Sequence, residues 1–148
     1  MQVQDIMTKN VLTVRPETTV REVAEILVSH KISGVPVVEE DGSLVGIVSE
    51  GDLMSKEILP EPPAEFCILG AVIYYNSLRE FKDAFSRMAA NTAEALMTKK
   101  VVTVKAEDDV SDVARIMRDK HIKRVSVLDD EGHLIGIVSR QNIVKMLL

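Results

Sequence analysis

The stretch Gly46-Ile47-Val48-Ser49-Glu50-Gly51-Asp52 occurs twice in this chain, because Gly136-Ile137-Val138-Ser139-Arg140-Gln141-Asn142 repeats it with changes at the last three positions only. In both copies a short apolar run typical of a β-strand leads into a polar turn and the start of a helix. The first backbone N–H groups of a helix lack internal partners and carry partial positive charge, so this junction can bind an anion or a hydroxyl. The pattern predicts a strand-turn-helix unit with a ligand-binding junction in each copy.

Three residues of the first copy suit a ligand. Gly46 would let a ligand approach the backbone, Ser49 supplies a hydroxyl, and Asp52 can accept two hydrogen bonds from a diol such as that of a ribose. Alternatively, Ser49 and Ser139 are N-caps, with Asp52 and Asn142 at the third helical position. The stretch alone favours capping, and its context favours a ligand site.

The repetition extends well beyond these seven residues. A shift of 90 residues superimposes 7–54 on 97–144 without a gap, and 20 of the 48 positions are identical. A duplicated unit usually buries its apolar face against its twin. We therefore place one repeat at 1–58, a linker with an apolar segment and a helix at 59–93, and a second repeat at 94–148.

Each repeat is predicted to be a β-α-β-β-α unit. The first is expected to contain strands at 11–14, 32–38 and 44–48, a helix at 20–29 with a Thr19/Glu22 capping box, an Asp41-Gly42 hairpin turn and a helix from 50. The second is expected to contain strands at 101–104, 125–128 and 134–138, a helix at 110–119, a turn at 131–132 and a helix to 148. Strands this aliphatic predict an α/β (α+β) fold, with sheets covered by helices on one face and by the twin repeat on the other.

The linker changes the pattern of the chain. Prolines at 60, 62 and 63 break any helix, and the apolar run from Phe66 to Tyr75 is too short to span a bilayer. Ser77 and Glu80 are expected to cap a helix with one apolar side, formed by Leu78, Phe81, Phe85 and Met88. This insert either packs on the repeats or offers an apolar patch for dimerisation.

Composition excludes several classes of function. The net charge of −5 and the pI near 5.2 argue against general binding to nucleic acid or an anionic membrane, although Lys99, Lys100, Lys120, Lys123 and Arg124 form a basic stripe. A single cysteine excludes an internal disulfide, and with three scattered histidines it forms no metal-ligand cluster. No signal peptide or membrane span is evident, so a cytoplasmic protein is expected.

Two such units, each opening with Met-Thr and closing with Gly-Ile-Val-Ser, resemble a pair of cystathionine-β-synthase (CBS) domains, or Bateman module, of the stand-alone bacterial and archaeal type. The segments that match the family are 5–8 with 96–98, 32–38 with 122–128, and the two Gly-Ile-Val-Ser stretches. The resemblance implies a non-catalytic sensor that binds AMP, ADP, ATP or S-adenosylmethionine in the clefts between its repeats. It implies no obligatory cofactor and no metal.

The resemblance also implies which residues contact the ligand. Gly46, Ser49 and Asp52 would hold ribose and phosphate, with Ser139, Arg140 and Asn142 at the second copy. The adenine contacts would come from the first strands and the starts of the second strands, namely Thr13, Val14, Ile32, Ser33, Gly34, Val35, Pro36, Thr103, Val104, Ile122, Lys123, Arg124 and Val125.

The second copy departs from the family pattern. Asn142 stands where a second ribose carboxylate is expected, so the second pocket should be weaker or different. Lys123 and Arg124 replace Ser33 and Gly34 of the first copy. We hypothesise that Asp52 holds the ribose of one main ligand while Lys123 or Arg124 reaches its phosphates across the cleft; the alternative is that both cations are solvated.

The expected function is therefore that of a regulatory homodimer that senses an adenosine-containing molecule and signals to a separate, unidentified effector protein. A structural or oligomerisation module with empty clefts is the alternative. An enzyme is disfavoured, because no nucleophile-base pair or metal set is recognisable. His121 and His133 are assigned to a helix exit and a hairpin turn rather than to a metal or a pH sensor.

Overall fold

The fold is a mixed α+β arrangement of two similar repeats with an insert between them. A computed structural model describes residues 1–57, 65–68, 71–74 and 78–148. In chain order its elements are α1 (Val3–Ile6), α2 (Val20–His30), β1 (Gly34–Val38), β2 (Leu44–Ser49), α3 (Glu50–Met54), β3 (Glu65–Ile68), β4 (Ala71–Tyr74), α4 (Leu78–Ala89), α5 (Ala93–Leu96), β5 (Thr103–Lys105), α6 (Val110–Asp119), β6 (Arg124–Leu128), β7 (Leu134–Ser139) and α7 (Arg140–Lys145).

An antiparallel hairpin forms the centre of each repeat, as predicted. β1 pairs with β2 and β6 with β7, and the register shifts at the equivalent place in both hairpins. Gly42 and Gly132 have φ of 88° and 87°, which is the left-handed region that a glycine enters without steric cost. The turn glycines of the two copies therefore set the same hairpin geometry.

The first strand of each repeat differs from the prediction. Within the described part of the chain, Val14 forms only a single parallel bridge to Val37, so no strand spans 11–14. In the second repeat the equivalent strand β5 pairs in parallel with β6 but begins at Thr103 instead of 101. The apolar runs therefore predicted strands that begin before the residues that pair in the structure.

Several predicted boundaries also shift. β1 begins at Gly34 instead of 32, because Lys31 adopts φ of 53° and the Ile32 N–H still closes helix α2 onto the Leu27 carbonyl, at 3.1 Å. β6 begins one residue before the predicted position, and α7 ends at Lys145 rather than 148. The short helices α1 and α5 were not predicted.

The predicted helices at 20–29 and within the insert are confirmed. Thr19 and Glu22 form the expected capping box at the start of α2, which buries Val23 and Leu27. In the insert, β3 and β4 pair over most of the apolar run 66–75, and α4 follows. The prolines and Ser77 lie outside the described residues.

The two repeats exchange their leading segments. Val3 of α1 is buried in the core of the second repeat, whereas Leu96 of α5 is buried in the core of the first. Thr8 and Ile137 exchange two backbone hydrogen bonds of 2.9 and 3.0 Å, and Thr98 and Ile47 form the equivalent pair at 2.9 and 3.1 Å. Each repeat is thus completed by a segment that precedes the other one, and the matching contacts at a 90-residue offset reflect a twofold relation between the repeats.

Because α1 completes the core of the second repeat, Val3→Ala is expected to destabilise the protein by about 2 kcal/mol, from the lost transfer energy and the cavity. Val28→Ala is the matched control, because Val28 is 78% exposed and its truncation should change stability by less than about 0.5 kcal/mol. Urea denaturation of both variants measures the difference. Equal midpoints for the two variants would contradict the exchanged packing.

Candidate functional site

Two cavities open between the repeats, and each combines segments from both. Cleft A has a volume of 340 Å³ and is lined by residues 33, 47, 49–52, 98, 100–102 and 121–124. Cleft B has a volume of 610 Å³ and is lined by residues 8, 10–12, 30–34, 36, 50, 123, 124, 137, 139–142 and 145. In cleft A the turn at 49–52 of the first repeat faces the second repeat, and in cleft B the turn at 139–142 faces the first.

The clefts bring together twelve of the predicted ligand residues. Cleft A contains Ser33, Ser49, Asp52, Ile122, Lys123 and Arg124. Cleft B contains Ile32, Ser33, Gly34, Pro36, Lys123, Arg124, Ser139, Arg140 and Asn142. The remaining predicted residues, which line neither cleft, are Thr13, Val14, Val35, Gly46, Thr103, Val104 and Val125.

The first-strand residues predicted to contact adenine directly follow, in sequence, residues that line the clefts, but do not line the clefts themselves. Val14 and Val104 belong to the two cores, with 4% and 7% exposure, whereas Thr13 and Thr103 are exposed. The residues that line the clefts are instead the preceding aliphatic pairs, 11–12 and 101–102. Val35 and Val125 are likewise fully buried core residues.

Gly46 makes room for a side chain and not for a ligand. A Cβ atom built at Gly46 would lie 2.3 Å from Sδ of Met97, and one built at Gly136 would lie 2.5 Å from Sδ of Met7. Both methionines belong to the exchanged segments. The repeated glycine is therefore required by the interlocking of the repeats, which corrects the role expected from the sequence.

Ser49 and Asp52 form the capping box that was the alternative interpretation. Asp52 Oδ2 accepts hydrogen bonds from the Ser49 backbone N–H at 2.8 Å and from the Ser49 hydroxyl at 3.1 Å. Its other oxygen, Oδ1, lies 3.4 Å from a guanidinium nitrogen of Arg87, which comes from α4. The Asp52 side chain is 9% exposed. One carboxylate oxygen is thus fixed internally, and a ligand hydroxyl would have to share Oδ1 with Arg87.

The helix starts are also less open to an anion than expected. The Glu50 N–H donates to the Ser33 carbonyl at 3.0 Å, and the Arg140 N–H donates to the Lys123 carbonyl at 3.1 Å. The Asp52 N–H donates to the Ser49 hydroxyl. Because α3 has only five residues and these donors are engaged, the charged side chains dominate the chemistry of the clefts.

Asn142 is fully used by the fold. Its Oδ1 accepts from the Ser139 backbone N–H at 2.8 Å and from the Ser139 hydroxyl at 2.7 Å. Its Nδ2 donates to the Ile6 carbonyl at 3.0 Å and to the Thr8 hydroxyl at 3.3 Å. The amide thereby ties α7 to the exchanged N-terminal segment, and its oxygen is already engaged by Ser139.

Arg124 crosses from the second repeat to the first and lines both clefts. Its guanidinium donates to the Ser33 hydroxyl and lies over Gly34, where a Cβ atom would be 2.3 Å from Nη1. Partial burial lowers the pKa of Arg124, against the opposing effect of Glu50 and Asp52. The small residues of the first repeat therefore accommodate the large cation of the second, and Arg124 and Asp52 line the same cleft, as the hypothesis of one shared ligand requires.

Several polar and charged residues of the clefts were not among the predicted ligand contacts, although Lys100 belongs to the basic stripe noted in the sequence. Lys100 and His121 line cleft A, Lys31 and Lys145 line cleft B, and Glu50 lines both. Lys100 follows the Met-Thr motif by two residues, and Lys31 and His121 are equivalent positions of the repeat. Each of these residues is within three positions of a predicted ligand contact. The alignment of the two repeats is the sequence signal that could have identified them.

One carboxylate-rich cluster lies away from the clefts. Among the described residues, only Asp129, Glu131 and His133 place three potential metal-ligand atoms within 4.8 Å of one another. The Asp129 carboxylate already accepts the backbone N–H groups of His133 and Glu131, and these bonds lower the pKa of Asp129. These hydrogen bonds form the hairpin turn between β6 and β7, to which His133 was assigned from the sequence.

The chain is similar in sequence to proteins that contain CBS domains. A sequence model of the CBS domain matches residues 3–58 and 93–148. The chain is 33% identical to uncharacterized protein MJ1426 of Methanocaldococcus jannaschii, over 100% of this chain and 92% of that protein. It is 30% identical to the chloroplastic CBS domain-containing protein CBSX2 of Arabidopsis thaliana, of which it spans 63%.

Solved structures give the same result. The crystal structure of CBSX2 in complex with AMP matches with a TM-score of 0.83 and 29% identity, over 99% of this chain and 95% of that one. The CBS domain pair of MJ0100, in complex with 5′-methylthioadenosine and S-adenosyl-L-methionine, matches with a TM-score of 0.73 and 27% identity over the same shares. In the part of the chain that the structure describes, every helix is too short or too polar to cross a membrane. The chain belongs to the CBS domain family and carries two copies of that domain.

Proposed function

We propose that this chain is a non-catalytic regulatory module that binds an adenosine-containing ligand, such as AMP, ADP, ATP or S-adenosylmethionine, in cleft A. The observation that carries the proposal is that the buried carboxylate of Asp52 lines the same cleft as the cations Lys100, Lys123 and Arg124. A carboxylate suits the ribose diol and cations suit phosphates. A volume of 340 Å³ lies within the range of about 300–1,000 Å³ of ligand pockets.

Two relatives support the class of ligand. CBSX2 is seen in complex with AMP, and the MJ0100 domain pair with S-adenosyl-L-methionine and 5′-methylthioadenosine. All three molecules contain an adenosine unit. The aliphatic residues 101, 102 and 122 line cleft A and offer apolar surface to a flat base.

The position of Asp52 suggests how binding is transmitted. A ligand in cleft A contacts both repeats, so it shifts any equilibrium between arrangements that differ in the width of the cleft. A ribose that takes Oδ1 of Asp52 competes with Arg87 and so weakens the contact between α3 and α4. We propose that this change reaches a separate effector protein.

We also propose that the module acts as a homodimer. Large apolar side chains remain at the surface on α4 and α7, where Phe85 and Val144 are 52% and 60% exposed. Association that covers such side chains is favourable.

The test is thermal unfolding of the full chain with adenosine, AMP, ADP, ATP, NAD and S-adenosylmethionine. A ligand at 100 times its Kd should stabilise the protein by about 2.7 kcal/mol. The expected result is a shift for at least one adenosine-containing ligand and no shift for ribose 5-phosphate. Failure of every adenosine compound to stabilise the protein would reject the proposal in favour of a structural module with empty clefts.

A further inference from the structure

The charge of cleft B is different from that of cleft A. Five cationic side chains line cleft B, namely Lys31, Lys123, Arg124, Arg140 and Lys145, against the single carboxylate of Glu50. Among the described residues, no carboxylate lies within 4.0 Å of the charged nitrogens of Lys31, Lys123, Arg140 or Lys145. Cations that converge without partners repel one another, so a bound anion would lower the electrostatic energy of this cavity.

Cleft B lacks the buried carboxylate that Asp52 provides in cleft A. Asn142 replaces the carboxylate, and both its oxygen and its nitrogen already bond within the fold. Arg140 uses only Nε for an internal bond, to the Ile122 carbonyl at 3.2 Å, and its two terminal nitrogens have no partner in the described part of the chain. The free donors of cleft B are therefore suited to oxyanions.

We propose that cleft B is a separate site for a chain of two or more phosphate groups, either a free polyphosphate or the phosphate chain of a nucleotide. A single phosphate would meet only part of a cation set that is spread over a 610 Å³ cavity, whereas linked phosphates can contact several of these side chains. This site goes beyond the proposed function, because it requires neither Asp52 nor a nucleoside.

Shared residues give the second site a consequence for the first. Lys123 and Arg124 line both clefts. A polyanion that engages them from cleft B therefore competes with the phosphate of a ligand in cleft A. On the proposed function of cleft A, polyphosphate should weaken the binding of AMP and leave the binding of adenosine unchanged.

Calorimetric titration of the full chain with inorganic tripolyphosphate tests the site. We expect binding that weakens with added salt, and a loss of about tenfold in affinity for Arg140→Gln and for Lys145→Gln. The Lys145 side chain has no bonding partner among the described residues, so its variant serves if Arg140→Gln disturbs the fold. Arg118→Gln is the matched control, because Arg118 pairs with Asp119 on α6 and lines neither cleft.

The outcomes separate the two sites and the two ligand sources. Absence of tripolyphosphate binding, or an equal loss for Arg118→Gln and Arg140→Gln, overturns the proposal whatever AMP does. An Asp52→Asn variant that loses AMP binding but keeps tripolyphosphate binding supports it. If that variant binds ATP more than tenfold tighter than tripolyphosphate, and Arg140→Gln removes the difference, a nucleotide supplies the phosphate chain; similar affinities indicate a free polyphosphate.

Discussion

Asp52→Asn is expected to lower the affinity for AMP by about 30- to 100-fold, because hydrogen bonds to a charged group contribute about 1.5–3 kcal/mol and this carboxylate is nearly buried in cleft A. The second repeat carries asparagine at the equivalent position, Asn142, and its amide oxygen accepts the Ser139 N–H. The capping bond to Ser49 should therefore survive. Calorimetry gives the affinity, and urea denaturation should show a change in stability of less than about 1 kcal/mol.

The control for this prediction is Arg87→Met. Arg87 contacts Oδ1 of Asp52, the oxygen that a ribose would need, so its removal should leave the AMP affinity unchanged or raise it. Because the Arg87 side chain is 46% exposed, the ion pair should contribute no more than about 1 kcal/mol to stability. An unchanged affinity for Asp52→Asn, or equal losses for both variants, would mean that Asp52 acts only as the cap of α3.

The fold could be predicted from the sequence because the capping and turn signals agree with the repeat pattern. The Thr19/Glu22 capping box, the turn glycines Gly42 and Gly132, and 20 identical positions at one offset each predict structure that is observed. The exchange of α1 and α5 could not be predicted in the same way. A helix of four residues has almost no periodicity, and either repeat offers an equivalent aliphatic surface for Val3 or Leu96.

The charged residues of the clefts could be predicted from the sequence, whereas the buried or exposed state of the aliphatic residues near them could not. Asp52, Lys123 and Arg124 are polar, so they had to face a cleft or solvent, and the structure brings them together. Thr13 and Val14 were assigned to the ligand because the family resemblance implies that the first strands contact adenine. The alternation of buried and exposed positions along that segment depends on its pairing with Val37, and this is a tertiary contact.

The role of Gly46 also depends on a tertiary contact, because it packs against Met97, which is 51 positions away in the sequence. Gly46→Val is expected to destabilise the protein by about 3 kcal/mol, because its Cβ would lie 2.3, 2.7 and 3.0 Å from Sδ, Cγ and Cβ of Met97. The terminal sulfur can rotate away, but the Met97 Cβ is fixed to the backbone of the exchanged segment. The strand or that segment must therefore move. Urea denaturation measures the change in stability.

Two further variants identify the cause. If the clash with Met97 is responsible, Gly46→Val combined with Met97→Ala should be less destabilised than the sum of the single variants by at least about 1 kcal/mol. Gly51→Ala is the control within the same motif, because among the described residues its Cβ would meet only the Ser49 hydroxyl, at 3.6 Å, and alanine favours the helix by about 0.5–1 kcal/mol. A Gly46→Val protein with unchanged stability but weakened AMP binding would instead restore the original interpretation of this glycine as a ligand contact. Because Gly136 faces Met7 in the same way, we expect the repeated glycines to mark the contact between the interlocked repeats and the neighbouring, unrepeated charges to determine the ligand.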